Sequence, residues 1–211
     1  MERIEVYKNL YTKVDFKEDS LLSLDGGAQY TLSDNTLIFD DSIHQKGATI
    51  WIKKKMPKNY TVCYKAKAID PELAGNLNLF LSAKTIDGLP PDQVDLGGLY
   101  GNYHQQCEMY ILTLTGAFEF ENSSNAGYTR FRKDPGFHLI SENQEIITRH
   151  NQEQTFEITK RDGKIQVFID SQLAHLFIDE NPIEREGFFG IRTYKTKAFF
   201  YDFEVYSDSE S

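Results

Sequence analysis

The sequence is short of the residues that staple, break or anchor a chain. Of 211 residues only two are cysteine, Cys63 and Cys107. They form no Cys-x-x-Cys pair, so no metal clip or redox couple is indicated. A chain of this length buries a sufficient core without disulfides, and both cysteines lie in apolar, alternating stretches that read as buried thiols. Six prolines and one tryptophan are also few. Long apolar runs are missing. The first residues, from Met1 to Phe16, hold no signal core, and no stretch approaches a membrane span. The expectation is a cytoplasmic protein that meets no membrane. Positive charge is short as well. A net charge of −9 argues against sequence-independent nucleic-acid binding, which needs phosphate neutralisation. The one run of three basic residues, Lys53 to Lys55, leads to Pro57 and reads as a solvated strand end. Helical periodicity never persists beyond about ten residues, the length a typical helix needs.

What is present is aromatic and alternating. Fifteen Phe and twelve Tyr suit a pleated, half-buried surface. Period-2 patterning runs through Thr49–Ile52, Tyr60–Ala68, Leu77–Ser82 and Met109–Thr115. In the last of these Met109, Ile111 and Thr113 fall on one face, and Tyr110, Leu112 and Leu114 on the other. Thr155–Arg161 and Lys164–Asp170 alternate around Asp162-Gly163, a hairpin signature. Leu173–Ile178, Gly187–Arg192 and Ala198–Tyr206 close the pattern. Many short strands at turn-punctuated spacing predict an all-β sandwich of two antiparallel sheets. One domain is expected over residues 1–206, with a frayed tail at 207–211.

Two segments resist the strand pattern, Thr85–His104 and Glu119–Gly136. Loops this long in a compact domain are usually functional or disordered. Both flank the strand Met109–Thr115, so they are expected to meet at the rim of one sheet face. They also hold the densest polar and aromatic clusters. A sugar site needs an aromatic platform for the ring and amides, carboxylates or guanidinium groups for the hydroxyls. Tyr103, His104 and Glu108 are the candidate catalytic residues. His104 could serve as a general base, a metal ligand or a structural hydrogen-bonding residue. Glu108 points into a groove if its face, shared with Tyr110 and Leu112, is the concave one; otherwise it is a solvated strand-start acid. Arg130, Arg132, Lys133, His138 and Tyr110 are the candidate ligand contacts. If the segment is extended, Arg130 and Arg132 share a face with Lys133 opposite. Such a pair suits a carboxylate or phosphate on a ligand, or pairs with the chain's own acids. His138 also reads as a half-buried histidine within Phe137-His-Leu-Ile. No Gly-x-Ser-x-Gly, His-Glu-x-x-His or phosphate-binding glycine loop occurs.

Tyr103-His104, the polar-then-aliphatic strand through Thr113, and Arg132-Lys133-x-x-Gly136-Phe137-His138-Leu139 resemble the YesU-like family of bacterial proteins. Weaker similarity covers nearly the whole chain, with Gly26-Gly27-Ala-Gln29, Leu79-Phe80, Gly190-Ile-Arg192 and Asp202-Phe203. The resemblance implies a concanavalin A-like jelly roll of the lectin/glucanase type and a link to carbohydrate metabolism. It departs at Gln105-Gln106, where the family has a glycine-containing turn, and at Glu108, where it has asparagine. The laminarinase-type Glu-x-Asp-x-Glu strand is absent; Glu119-Phe-Glu121 is the nearest segment. The expectation is a carbohydrate-active protein with its site in the concave sheet groove. It would act on an oligosaccharide, with an acidic, uronate-containing one as the narrower expectation. As an enzyme it would be a lyase, with an arginine neutralising the carboxylate and His104 or Tyr103 taking the proton, or a glycoside hydrolase using Glu108. The alternatives are a lectin-like module without turnover and a structural or oligomerisation role. No cofactor is expected, although the class admits a structural divalent cation such as calcium.

Overall fold

The computed structural model describes residues 2–70, 72–120 and 123–208. In chain order the strands are β1 (Leu10–Lys13), β2 (Leu22–Gly26), β3 (Gln29–Ser33), β4 (Thr36–Asp40), β5 (Ala48–Met56) and β6 (Tyr60–Ala68). There follow β7 (Leu77–Thr85), β8 (Cys107–Thr115), β9 (Phe118–Phe120), β10 (Ser123–Asn125), β11 (Tyr128–Asp134) and β12 (His138–Asn143). The rest are β13 (Gln154–Arg161), β14 (Lys164–Ile169), β15 (Gln172–Ile178), β16 (Gly187–Thr193) and β17 (Lys197–Tyr206). One sheet runs β12-β11-β8-β7-β16-β5-β2; the other runs β15-β14-β13-β6-β17-β4-β3, with β1 added on β17. Every pairing is antiparallel, and neighbours distant in sequence mark the crossovers of a jelly roll. At the β13–β14 hairpin Asp162 (φ 48°) and Gly163 (φ +77°) supply the two left-handed residues of a tight turn.

Alternation decides which side chains meet between the sheets. Leu77, Leu79, Leu112, Leu114, Phe131, Phe189 and Ile191 of the first sheet pack against Val62, Ile158, Val167, Phe200 and Val205 of the second. A second, smaller apolar cluster lies on the opposite face of the first sheet. It joins Trp51, Phe80, Met109 and Ile111 to Leu96 and Tyr103 from the segment that follows β7. Gly190 makes room for it, since a Cβ there would stand 2.7 Å from the Trp51 ring. The segment thus covers the part of that outer face around Trp51 and Phe80 and leaves a cavity beside it.

Both long segments are more ordered than expected from composition. The first holds a helical turn at Pro91–Gln93 and a helix, α1 (Tyr100–Gln106), of seven residues. So short a helix leaves no periodicity to read. The second carries nearly all of the β9–β10 hairpin and the whole of β11; Glu121, of Glu119-Phe-Glu121, lies outside the described residues. At the C-terminus Ser207 is buried, its amide donating to the Asn9 carbonyl at 2.9 Å; residues 209–211 of the expected tail lie outside the described residues. Cys63 and Cys107 are free, and burial pushes both thiols up to about 12.

Candidate functional site

A row of polar residues crosses the outer face of the first sheet. Arg130 stands opposite Thr113, Thr113 opposite Asn78, Asn78 opposite Arg192, Arg192 opposite Thr49, and Thr49 opposite Asp25. Each belongs to a strand whose neighbouring residues point into the core, so period 2 alone aims the row outward. The last two members are covered. Gly98 (φ +67°) donates its amide to Asp25 Oδ1 at 3.1 Å, and any side chain at Gly98 would strike the Gly47 carbonyl and the Gly26 backbone. The uncovered part of the row lines a cavity of about 300 Å³ together with Arg132, Asn76, Tyr100, Phe137, Tyr128, Tyr194 and Lys46. Among the described residues no acidic side chain lines it.

The two most enclosed cations of this cavity have no carboxylate paired to them among the described residues. Arg132 is 8% exposed and lies with its guanidinium carbon 4.3 Å from the centre of the Phe137 ring. Burial, then the neighbouring Arg130, pulls its pKa down. Arg192 is 2% exposed. It donates through Nη1 to the Gly98 carbonyl at 2.8 Å and lies 4.6 Å from the Tyr100 ring centre. Its Nε is buried without a hydrogen-bond partner among the described residues; burial lowers its pKa, opposed by Tyr100, Tyr103 and the carboxylates of Asp41 and Asp25, which act on it without forming an ion pair. The Oδ1 atoms of Asn76 and Asn78 are likewise buried and find no donor there. Arg130 differs, being ion-paired with Glu142 on β12. A larger hollow, about 700 Å³, lies on the outer face of the other sheet. Its charges answer each other there, Arg3 with Glu157 at 3.8 Å and Lys65 with Asp202 at 3.1 Å. The smaller cavity is therefore the stronger candidate.

The structure brings together only part of the set expected from sequence. Arg130 and Arg132 share the cavity, and Lys133 faces the other way, donating to Asp179 Oδ2 at 2.8 Å. Tyr110 points into the sandwich, where its hydroxyl also donates to Asp179, at 2.7 Å. Glu108 lies on that same side of β8, because the face it shares with Tyr110 and Leu112 is the core face; it pairs with Arg185 at 2.6 Å. A groove-lining Glu108 is thus corrected. Tyr103 is fully buried, its hydroxyl donating to Asp25 Oδ2 at 2.5 Å. His104 stands behind the cavity wall, Nδ1 2.8 Å from the buried Asp134 carboxylate and its ring 3.8 Å from that of Phe137. His138 is exposed on β12, opposite Lys133, and does not line the cavity. Tyr100, Asn76, Asn78, Thr113 and Arg192 are cavity residues that sequence reasoning misses. Their signal is present, since Asn78 alternates with leucines and Arg192 follows Ile191, but nothing in the sequence says which face is open. Among the described residues no group of three or more His, Cys, Asp or Glu is placed to hold a metal ion, and no helix is long and apolar enough to cross a membrane.

Two antiparallel sheets, crossover-linked, with a cavity on one outer face define a concanavalin A-like jelly roll of the galectin type. The chain belongs to a family described as a domain of unknown function, DUF6250, whose model matches residues 43–203. It is similar in fold to a Bacillus subtilis protein of unknown function with a galectin-like fold, at TM-score 0.78 and 17% identity, covering 97% of this chain and 99% of that one. The carbohydrate binding module CBM66 from Bacillus subtilis matches at TM-score 0.62 and 13% identity, covering 89% and 96%. The exoplasmic/lumenal domain of VIP36, in a Ca²⁺/Man3GlcNAc-bound form, matches at TM-score 0.63 and 11% identity, covering 98% and 92%. No curated protein sequence matches this chain.

Proposed function

We propose that the protein binds an acidic, uronate-containing oligosaccharide in the cavity between Arg132 and Arg192. One observation carries this reading: two nearly buried guanidinium groups line one cavity with no carboxylate paired to them among the described residues. An ion taken out of water without a counter-ion costs several kcal/mol. A ligand carboxylate would offset that cost through a forked, charge-assisted hydrogen bond. The donor-free Asn76 and Asn78 carbonyls suit sugar hydroxyls, and Tyr100, Tyr128 and Tyr194 supply ring surfaces. A carbohydrate binding module and a glycan-bound lumenal domain among the similar folds support the choice of sugar. Kinship to the YesU-like family is part of the same proposal, because Arg132 and Phe137 of its most specific element both line the cavity.

Calorimetric titration of oligogalacturonate against a neutral oligosaccharide of equal length tests the reading. Arg132→Ala is expected to weaken uronate binding about tenfold or more, that is by at least ~1.4 kcal/mol. Arg132→Lys recovers only part, because an ammonium lacks the fork. Equal binding of acidic and neutral sugars, or an unchanged Arg132→Ala, overturns it.

A further inference from the structure

The two guanidiniums that lack an ion-pair partner reach the cavity from different strands, Arg132 against Phe137 and Arg192 against Tyr100. Arg130 and Arg132 belong to β11, and Arg192 to β16, with β8 and β7 between them. Three strand spacings of about 4.8 Å put the two strands roughly 14 Å apart. The floor between them is uncharged: Thr113, and Asn78 with its donor-free carbonyl. Neither group is free to cross over. Arg192 is tied to the Gly98 carbonyl at 2.8 Å and passes so close to Gly47 that a Cβ there would stand 2.3 Å from Nη2. Arg132 rests on Phe137. One carboxylate placed against either guanidinium therefore leaves the other without an ion-pair partner; Asp41 and Asp25 act on Arg192 from outside the lining, and no acidic side chain among the described residues of the lining faces either group.

We infer that the cavity is built for a dianionic saccharide, with one anionic group at Arg132, a second at Arg192, and a neutral hydroxyl-bearing centre over Thr113 and Asn78. The inference rests on the acidic-sugar reading of this cavity and narrows it. Two carboxylates on adjacent uronate units satisfy it, and so does a carboxylate with a sulfate ester on the same sugar. Exposed Lys46 adds positive charge to the lining.

The experiment is calorimetric titration of the full chain with galacturonate, digalacturonate, the monomethyl ester of digalacturonate, and a sulfated galacturonate. The expected result is that a dianion binds at least about tenfold more tightly than the monoester, as a second charge-assisted contact allows. Whether digalacturonate or the sulfated monosaccharide is the tighter identifies the source of the second charge. Arg192→Gln should bring the dianion down to the affinity of the monoester. Should that variant not fold, the wild type alone decides: the dianion must show the steeper fall of affinity with salt. Equal affinities and equal salt dependence for dianion and monoester, with binding still lost in Arg132→Ala, overturn the two-anion cavity and leave a single-carboxylate site. Absence of binding by every one of these uronates overturns both readings together.

Discussion

His104 and Arg132 share one aromatic ring. The His104 imidazole packs 3.8 Å from the centre of Phe137, and the Arg132 guanidinium carbon lies 4.3 Å from the same centre. Phe137 is placed there by a left-handed backbone (φ 56°) and by its amide, which donates to Asp134 Oδ1 at 2.7 Å. That carboxylate's other oxygen holds His104. Removing the ring should unsettle both neighbours. Phe137→Ala is expected to lower stability by about 2 kcal/mol, from lost packing and a lost cation–π contact. It should also weaken uronate binding severalfold; denaturant unfolding and titration on one sample check both.

Gly47 is the back wall of Arg192. Its φ of +82° and the 2.3 Å clearance to Nη2 oppose any side chain. Gly47→Ala is expected to displace the guanidinium and weaken uronate binding about tenfold. Gly88 provides the control, with φ +81° and no described atom within 4 Å of where a methyl group would stand. Gly88→Ala should cost only the left-handed backbone term, about 1 kcal/mol, and leave binding unchanged. Equal binding losses in the two variants would mean that the clearance to Arg192 does not matter.

Tyr103 anchors α1 to the sheet through Asp25. Burial raises the Asp25 pKa, and the Tyr103 hydroxyl and the Gly98 amide work against that rise. Tyr103→Phe should destabilise the fold by about 1–3 kcal/mol, the cost of an unsatisfied buried acceptor. Affinity for uronates should change less than threefold or so, well under the ~1.4 kcal/mol of a tenfold loss. A collapse of affinity with unchanged melting temperature would place Tyr103 at the ligand instead.

His175 lies in the sandwich, Nδ1 2.8 Å from Ser141 Oγ and Nε2 3.2 Å from Thr129 Oγ1. Burial pulls its pKa down to about 4, below the ordinary value near 6.5. The neutral ring is the folded form, so protonation favours unfolding. Its contribution is complete above about pH 6.5 and is lost as pH falls towards 4, amounting to about 3 kcal/mol. Melting temperatures from pH 7 to 4 should therefore fall more steeply in the wild type than in His175→Gln. Parallel curves would show that His175 does not titrate across folding.

Much of the sandwich is legible in the sequence because alternation is a local property. The split of Met109–Thr115 into two faces holds in the structure, with Tyr110, Leu112 and Leu114 in the core and Thr113 outside. So does the placement of Arg130 and Arg132 on one face with Lys133 on the other. What cannot be read is which face stays open. That depends on where the segment after β7 lies, and its seven-residue helix has no pattern of its own. The same gap explains Glu108: alternation identifies the residues that share its face, but not the direction in which that face points. Arg192 and Asn78 meet through pairing of β16 with β7, a contact between residues more than a hundred positions apart.

The polar row also makes the cavity a gauge of strand register. Side chains alternate strictly, so a slip of β16 by one residue would carry Arg192 into the core and set Ile191 in the cavity. The same holds for Asn78 on β7 and Arg130 on β11. A chain refolded with one pairing out of step would present a different lining, however much sheet it contained. Ligand affinity is thus a more exacting criterion of correct assembly than any spectroscopic measure of strand content.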